Sequence, residues 1–173
     1  MKSIILFSDG SCLGNPGKGG WAYLLKYRNY KKHNYGSSLK TTNNRMELLA
    51  LIKGLEALNQ PCKVDAYTDS KYIVNAFTNH WVDKWSNNGW LTSNKEPVKN
   101  QDLWLKLLNL SYKHQVRFHW VKGHAFLEDN NFVDELARKA ADESLNCEKD
   151  IGFENQKSYK SVRLDIFPDE DEW

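Results

Sequence analysis

The sequence predicts an α/β fold, and three observations support this prediction. Residues 4–7 are four consecutive apolar residues of strand-forming type, a run typical of a strand buried on both faces of a sheet. Apolar residues between 48 and 58 recur at helical spacing. Strand patterns and helix patterns then alternate along the 173 residues, which is typical of a sheet covered by helices.

The length and composition indicate one globular domain. A chain of 173 residues with 40% hydrophobic and 13% aromatic residues is long enough to bury a substantial core. It contains no apolar run of the roughly 18 residues that a membrane helix needs, and its N-terminal apolar run is too short for a signal peptide. Three widely spaced cysteines, Cys12, Cys62 and Cys147, favour reduced thiols, so we expect a cytoplasmic protein.

The net charge of +2 is unevenly distributed. Of the 22 acidic groups, five lie in residues 165–173, so residues 1–164 carry 24 basic and 17 acidic groups, a net charge of +7. This basic body favours a polyanionic partner.

The first third of the chain is predicted to form three strands. The buried strand leads to Asp9, and glycines at 14–20 turn the chain into a strand over 21–27. A polar turn at 29–34 then leads to a strand over 35–41. Residues 17–22 match the spacing of a dinucleotide-binding loop, but that loop precedes a helix and here a strand follows, so we reject this interpretation.

A helix is predicted to begin at 41–44 and to end before Pro61. Glu47 lies in its first turn, where a capping box with Asn44 is the simpler interpretation. A strand over 64–68 follows and leads to Asp69. Asp69 is either a site residue or simply the N-cap of a helix over 72–77.

Residues 80–100 combine tryptophans with lysines. Trp81 and Trp85 share one helical face, which is typical either of a small packed subdomain or of a surface for sugars and bases, and we expect both roles. Asn100 is predicted to cap a helix over 103–108.

The last predicted elements are a strand over 116–121, a glycine-hinged loop that carries His124, and a helix over 132–141. Asp134 lies near the start of this helix, and an ion pair with Arg138 is its simpler interpretation. Beyond residue 147 the periodicity fades, so we predict one domain over 1–146 and a flexible tail over 147–173 that is acidic at its end.

Four carboxylates share one kind of placement. Asp9 and Asp69 are predicted to end strands, and Glu47 and Asp134 to begin helices. If the two strands are parallel neighbours, the four acids meet at the sheet edge where α/β folds place their sites, and they need a cationic counter-charge such as Mg²⁺. This chemistry suits two-metal hydrolysis of a phosphodiester, with ions roughly 3.5–4 Å apart.

Six blocks of the sequence, in order, resemble type 1 ribonuclease H of bacteria. They are residues 9–17, 41–48, 68–70, 97–100, 120–125 and 134–138. The resemblance covers about residues 3–142 and implies a ribonuclease H-like fold with a five-stranded mixed sheet flanked by helices.

The resemblance also implies cleavage of the RNA strand of RNA–DNA hybrids by a monomer that uses two Mg²⁺ ions, for which Mn²⁺ can substitute. The metal ligands and catalytic residues would be Asp9, Glu47, Asp69 and Asp134, with His124 assisting proton transfer or product release. The substrate contacts would be Asn15, Lys40, Thr42, Asn43, Asn44, Lys71, Trp81, Trp85 and Asn100. Among these, the resemblance assigns Lys40, Thr42 and Asn100 to a pocket for a DNA-strand phosphate and Trp81 to a deoxyribose.

Two departures from the family pattern bear on substrate binding. Lys71 stands where many relatives have glutamine, and the segment after Trp85 is less basic than usual, so we expect weaker hybrid binding than in a relative with a basic segment there.

Three other interpretations stay open: a related polynucleotidyl transferase, a non-catalytic hybrid-binding module and a fragment of a reverse transcriptase. Met1 directly before the first strand favours a free-standing enzyme over the last of these. For the acidic end of the tail we expect either a solvated terminus, transient occupation of the substrate groove, or docking on a partner protein.

Overall fold

A five-stranded mixed sheet lies at the centre of the fold in a computed structural model, which describes residues 1–121 and 127–159. The strands are β1 (Lys2–Leu13), β2 (Gly17–Tyr27), β3 (Tyr30–Thr41), β4 (Cys62–Thr68) and β5 (Gln115–Trp120). Their order in the sheet is β3-β2-β1-β4-β5. The pairs β1–β2 and β2–β3 are antiparallel, and the pairs β1–β4 and β4–β5 are parallel. The predicted fold class and mixed sheet are confirmed.

Helices cover both faces of the sheet. They are α1 (Asn43–Glu56), α2 (Lys71–Thr78), α3 (Trp81–Asn87), α4 (Gln101–Lys113), α5 (Leu127–Glu143) and α6 (Ile151–Tyr159). Helices α1 and α5 both contact β1 and β2, and α4 packs on α1. Within the described ranges, no helix has the length and apolar character needed to cross a membrane.

Strand β1 is buried on both of its faces, as its apolar run predicts. Leu6 is fully buried in the large cluster that includes the apolar side of α1. Phe7, the next residue, is 1% exposed and packs in a second cluster with Val133 and Ala137 of α5. Successive side chains of a strand point to opposite faces, so one strand joins the two cores.

The predicted polar turn over 29–34 is wrong. β2 and β3 form a continuous hairpin in which Tyr27 pairs with Tyr30, and the ladder runs on to Gly17 and Thr41. The side chains from Tyr30 to Asn34 are exposed, because β3 is an edge strand whose first half is paired with β2 alone. The ring of His33 adds an edge-to-face contact with Phe132 of α5. A strand of this kind has no apolar pattern for sequence reasoning to detect.

The packed part of the chain continues past the predicted boundary at residue 146. Cys147 bridges to Ser37 of β3, and Glu148 donates its backbone N–H to the Ser37 carbonyl at 2.8 Å. Helix α6 follows, and its Phe153 is 5% exposed. The segment just after residue 146 therefore packs against the rest of the fold, and the acidic residues 165–173 lie outside the described residues.

Candidate active site

Asp9 and Asp69 come together because β1 and β4 are parallel neighbours. The last pair in their register is Phe7 with Tyr67, and each aspartate lies two residues beyond its member of that pair. The expected convergence at one sheet edge is confirmed. Asp9 does not end its strand, however: β1 continues to Leu13, paired there with β2 alone. Asp9 thus marks the point where β1 loses its parallel neighbour.

Glu47 is brought beside Asp9 by the close approach of α1 to β1 at Gly10. A Cβ atom at Gly10 would lie 2.4 Å from the backbone nitrogen of Glu47 and 2.5 Å from the carbonyl carbon of Met46. Only a residue without a side chain permits this approach.

The capping box proposed as the simpler role of Glu47 is absent. The N-cap of α1 is Thr42, whose hydroxyl accepts the Arg45 backbone N–H at 3.3 Å. Glu47 is therefore two residues beyond the position that a capping box requires. Its Oε2 atom is buried and has no hydrogen-bond partner within the described residues.

Asp69 is likewise not the cap of the helix that follows it. The N-cap of α2 is Ser70, whose hydroxyl accepts the Ile73 N–H at 3.4 Å. One carboxylate oxygen each of Asp9, Glu47 and Asp69 lie within 4.8 Å of one another. We call these three residues the carboxylate cluster.

Asp134 lies beside the carboxylate cluster on α5. A Cβ atom at Gly20 would lie 2.2 Å from the Ala137 carbonyl oxygen, so Gly20 lets α5 approach β2 closely. Asp134 accepts hydrogen bonds from Nε of Arg138 at 3.1 Å and from its Nη2, which confirms the predicted ion pair. Asp134 was predicted to lie near the start of the helix, but it is the eighth residue of α5. The helix begins at Leu127, five residues before the predicted start at 132.

Burial and mutual repulsion raise the pKa values of the carboxylate cluster. The pKa of Asp9 rises to about 8, first through burial and then through the charge of Asp69 and the neighbouring Asp134. Burial and the charges of Asp9 and Asp69 raise the pKa of Glu47 well above its usual value. Burial, followed by the charge of Asp134, also raises the pKa of Asp69.

The cluster fits a divalent cation. Its donors are all carboxylate oxygens, which suit hard ions such as Mg²⁺ and Mn²⁺. A cation would also compensate the two features that are unfavourable without one, the unpartnered Glu47 oxygen and the repulsion among the acids.

Four predicted substrate contacts lie near the start of α1. Asn15 accepts the backbone N–H of Asn43 at 3.1 Å, which joins the glycine-rich turn to the helix. Thr42 is buried as the N-cap, while Asn43 is exposed and Asn44 half-buried. The loop 14–16 and the helix start therefore form one polar surface.

The other predicted contacts differ in exposure. Lys40 and Lys71 are exposed, and Nζ of Lys71 lies 4.1 Å from the centroid of the Trp120 ring. Trp81 is half-buried, but Trp85 is 5% exposed and packs edge-to-face on Trp104, so Trp85 serves the core and presents little surface to a ligand. His124 lies outside the described residues.

Asn100 is the N-cap residue of α4, but its side chain makes no capping hydrogen bond. It has a left-handed φ of 61°, is 4% exposed, and accepts a hydrogen bond from Nη1 of Arg45 at 3.3 Å. The predicted N-cap position is confirmed, but the Asn100 oxygen accepts from Arg45 and not from the first turn of α4.

Arg45 is the residue that sequence reasoning missed. It is 1% exposed and ion-paired with Asp102 and Asp150. The available signal was its spacing: Arg45 precedes Leu48 and Ile52 by three and seven residues, which places a charge on the buried stripe of the helix.

Comparison with known proteins agrees with this geometry. The RNase H family model matches residues 1–142. A Ribonuclease H of Oleidesulfovibrio alaskensis is 54% identical over 138 residues, which are 80% of this chain and 90% of the relative. A Ribonuclease H of Prosthecochloris aestuarii is 55% identical over 139 residues, 80% of this chain and 95% of the relative.

Two solved structures share the fold. LC9-RNase H1, described as a type 1 RNase H with the type 2 active-site motif, has a TM-score of 0.73 at 28% identity, with 99% of this chain and 90% of that chain covered. LC11-RNase H1 in complex with RNA/DNA hybrid has a TM-score of 0.61 at 23% identity, with 81% of this chain and 97% of that chain covered. The chain therefore belongs to the RNase H family and is a ribonuclease H enzyme.

Proposed function

We propose that this enzyme hydrolyses the RNA strand of RNA–DNA hybrids with two Mg²⁺ ions held by Asp9, Glu47, Asp69 and Asp134. The observation that carries the proposal is the carboxylate cluster, in which three acids offer oxygens within 4.8 Å and one oxygen of Glu47 is buried without a partner. When bound, the ions would activate the attacking water and stabilise the leaving oxygen.

The protein residues around the cluster would bind and orient the hybrid. Asn15, Asn43 and Asn44 lie on one polar surface and offer amide groups suited to a ribose 2′-OH, the group that distinguishes RNA from DNA. Lys40 and Thr42 lie on the adjoining stretch of chain and suit a DNA-strand phosphate.

The remaining roles rest on the resemblance. Trp81 would pack on a deoxyribose, and His124 would assist proton transfer or product release. Asn100 would complete the DNA-phosphate pocket, and Lys71 would lie at the substrate where many relatives use glutamine for a contact with a base edge. A cytoplasmic location and a monomeric state stay predictions from the sequence.

Strand-specific cleavage tests the proposal. A hybrid labelled on either the RNA or the DNA strand is incubated with the protein and Mg²⁺, beside matched duplex DNA and duplex RNA. We expect cleavage of the RNA strand of the hybrid, with both duplexes intact and with no cleavage in chelator. Cleavage of duplex DNA, or equal cleavage of duplex RNA, would contradict the proposal and favour a related nuclease of the same fold.

A further inference from the structure

Arg45 is buried at the centre of an ion cluster that joins three parts of the chain and whose Asp102 side chain is 46% exposed. Its Nη1 and Nη2 donate to the two carboxylate oxygens of Asp102 at 2.8 and 2.7 Å. Its Nε and Nη2 donate to the two oxygens of Asp150 at 2.8 and 3.0 Å. A guanidinium that is 1% exposed has lost its hydration, so its position depends on keeping both carboxylates.

The same Arg45 contacts two residues of the proposed phosphate pocket. Its backbone N–H donates to the Thr42 hydroxyl at 3.3 Å, and its Nη1 donates to the side-chain oxygen Oδ1 of Asn100 at 3.3 Å. Asn100 is 4% exposed, so the position of its buried amide depends on its hydrogen-bond partners, Arg45 and Tyr72.

Asp150 belongs to the C-terminal segment, residues 147–159, which lies beyond the RNase H family match at 1–142. Its side chain is 10% exposed and accepts the Thr41 hydroxyl at 2.6 Å and the Phe153 N–H at 3.2 Å. Asp150 is thereby fixed both to β3 and to the first turn of α6.

Helix α6 lies directly against the ion cluster at Gly152. A Cβ atom there would lie 2.0 Å from Oδ2 of Asp102 and 2.2 Å from Nη2 of Arg45. Such contact is possible only for glycine, so the C-terminal segment is closely fitted to the cluster.

We propose that the C-terminal segment, through Asp150 and Arg45, positions Asn100 and Thr42 for the DNA strand of the hybrid. Asp150 is a positioning residue and touches no substrate. This inference rests on the proposed function, because it takes Asn100 and Thr42 to be the DNA-phosphate pocket. It adds a role for a part of the chain outside the family match.

The test compares Asp150→Asn with wild type in two measurements. Hybrid binding is measured in chelator, where no cleavage occurs, and steady-state cleavage is measured with Mg²⁺. We expect Kd and KM of Asp150→Asn to rise by about threefold to tenfold, an effect typical of losing one interaction in a hydrogen-bonded network. We expect kcat to change far less.

Glu154→Gln is the matched control. It removes the same charge four residues further along the C-terminal segment and breaks the ion pair with Lys149 at 3.2 Å, but it removes no contact of Arg45. We expect its Kd and KM to equal those of wild type. If Asp150→Asn lowers the melting temperature and leaves Kd unchanged, the segment only stabilises the fold and the proposal is overturned.

A second test uses a series of hybrids in which one DNA phosphate at a time is replaced by a neutral methylphosphonate. The loss of binding at each position is a pattern that general destabilisation of the protein does not produce. The position that weakens wild-type binding most identifies the pocket phosphate, and Asp150→Asn should lose less there because its pocket is already displaced. An equal loss in both proteins would contradict the proposal. If Asp150→Asn does not fold, Thr41→Val, which removes only the hydrogen bond at 2.6 Å, replaces it under the same criteria.

These measurements distinguish failure of the proposed function from failure of the positioning role of Asp150. A wild-type protein that does not cleave the hybrid contradicts the proposed function, whereas binding in chelator still tests the role of Asp150. Cleavage with no effect of Asp150→Asn contradicts only the positioning role.

Discussion

The carboxyl group of Asp9 is kept in an environment that opposes its ionisation. Its pKa is 3.8 ordinarily and about 8 in the folded protein, because of burial and the charge of Asp69. The unfolded chain thus releases this proton at lower pH than the folded one, so the free energy of unfolding falls as the pH rises between those values. In the absence of cations the cluster is a source of instability near neutral pH.

Asp9→Asn should therefore stabilise the protein in chelator. We expect a gain of about 1–2 kcal/mol in the free energy of unfolding, or roughly 3–6 °C in melting temperature, at pH 7 to 8. Thermal melts followed by circular dichroism measure it, with Asp142→Asn, an exposed residue of α5, as the control for the charge change. A lower melting temperature for Asp9→Asn than for wild type would show that Asp9 supports the fold.

His114 is a second buried titratable group, remote from the carboxylates in sequence. It is 2% exposed, and its Nδ1 accepts the backbone N–H of Cys62 at 3.1 Å, which places the ring proton on Nε2. That nitrogen has no hydrogen-bond partner in the described part of the chain. Burial, and then the charge of Lys113, lower the pKa of His114 below 6.5.

The stability contributed by neutral His114 should be lost in acid. The unfolded chain takes up the proton below its ordinary pKa of 6.5 while the folded protein resists it, so the free energy of unfolding decreases as the pH falls through that value. For His114→Gln we expect this slope to be smaller by up to about 1.4 kcal/mol per pH unit. Urea unfolding at pH 7, 6 and 5 measures the slope, with exposed His80→Gln as the control; equal slopes in all three proteins would refute the assignment.

At the scale of elements, the site depends on two close approaches of helix to strand. Gly10 admits α1 beside Asp9, and Gly20 admits α5, which carries Asp134. The four acids therefore meet because helices on opposite faces of the sheet both come within contact of β1 and β2.

Gly10→Ala should damage the fold and the chemistry together. The added Cβ would lie 2.4 Å from backbone nitrogen of Glu47, so α1 must move away from β1. We expect a loss of about 1–3 kcal/mol in stability, as in overpacked cores, and a clear fall in kcat for hybrid cleavage. Thermal melts and single-turnover rates at a temperature where the variant is folded measure both.

The control for Gly10→Ala is Gly89→Ala. Gly89 has a positive φ of 63° but no atom within 4 Å of an added Cβ, so only backbone strain is introduced. We expect a small loss of stability and an unchanged kcat. Full activity of Gly10→Ala would show that the contact between β1 and α1 does not hold Glu47 in place.

The elements that sequence reasoning located best are those with an apolar periodicity. β1 has an apolar run and α1 and α4 have a helical periodicity, and most of the apolar residues that form these patterns are buried. The first half of β3 was missed because its side chains are polar or exposed, so only its backbone pairing with β2 reveals it.

At the scale of the whole molecule, the carboxylate cluster was predictable and the ion cluster was not. Asp9 and Asp69 follow strand patterns, so their meeting depends on one topological assumption, that β1 and β4 are parallel neighbours. Arg45 and Asp150 are 105 residues apart, and Asp150 lies where periodicity fades. No local sequence pattern predicts this pair, because it forms only when the C-terminal segment packs back against Arg45 of α1.

The proposed function assigns the chemistry and the binding of the hybrid to different residues. Under the proposed function the carboxylate cluster would supply the chemistry, and the polar residues at the start of α1 together with Asn100 would contact the nucleic acid. Chemistry and binding should therefore be separable by a single substitution in the carboxylate cluster.

Asp9→Asn makes that separation measurable on one labelled hybrid. We expect Asp9→Asn to lose cleavage of the RNA strand in Mg²⁺ by at least about a thousandfold. We expect its hybrid Kd in chelator to stay within a few-fold of the wild-type value, because phosphate and sugar contacts supply the affinity. Appreciable Mg²⁺-dependent cleavage by Asp9→Asn, or loss of binding in step with loss of cleavage, would contradict this account.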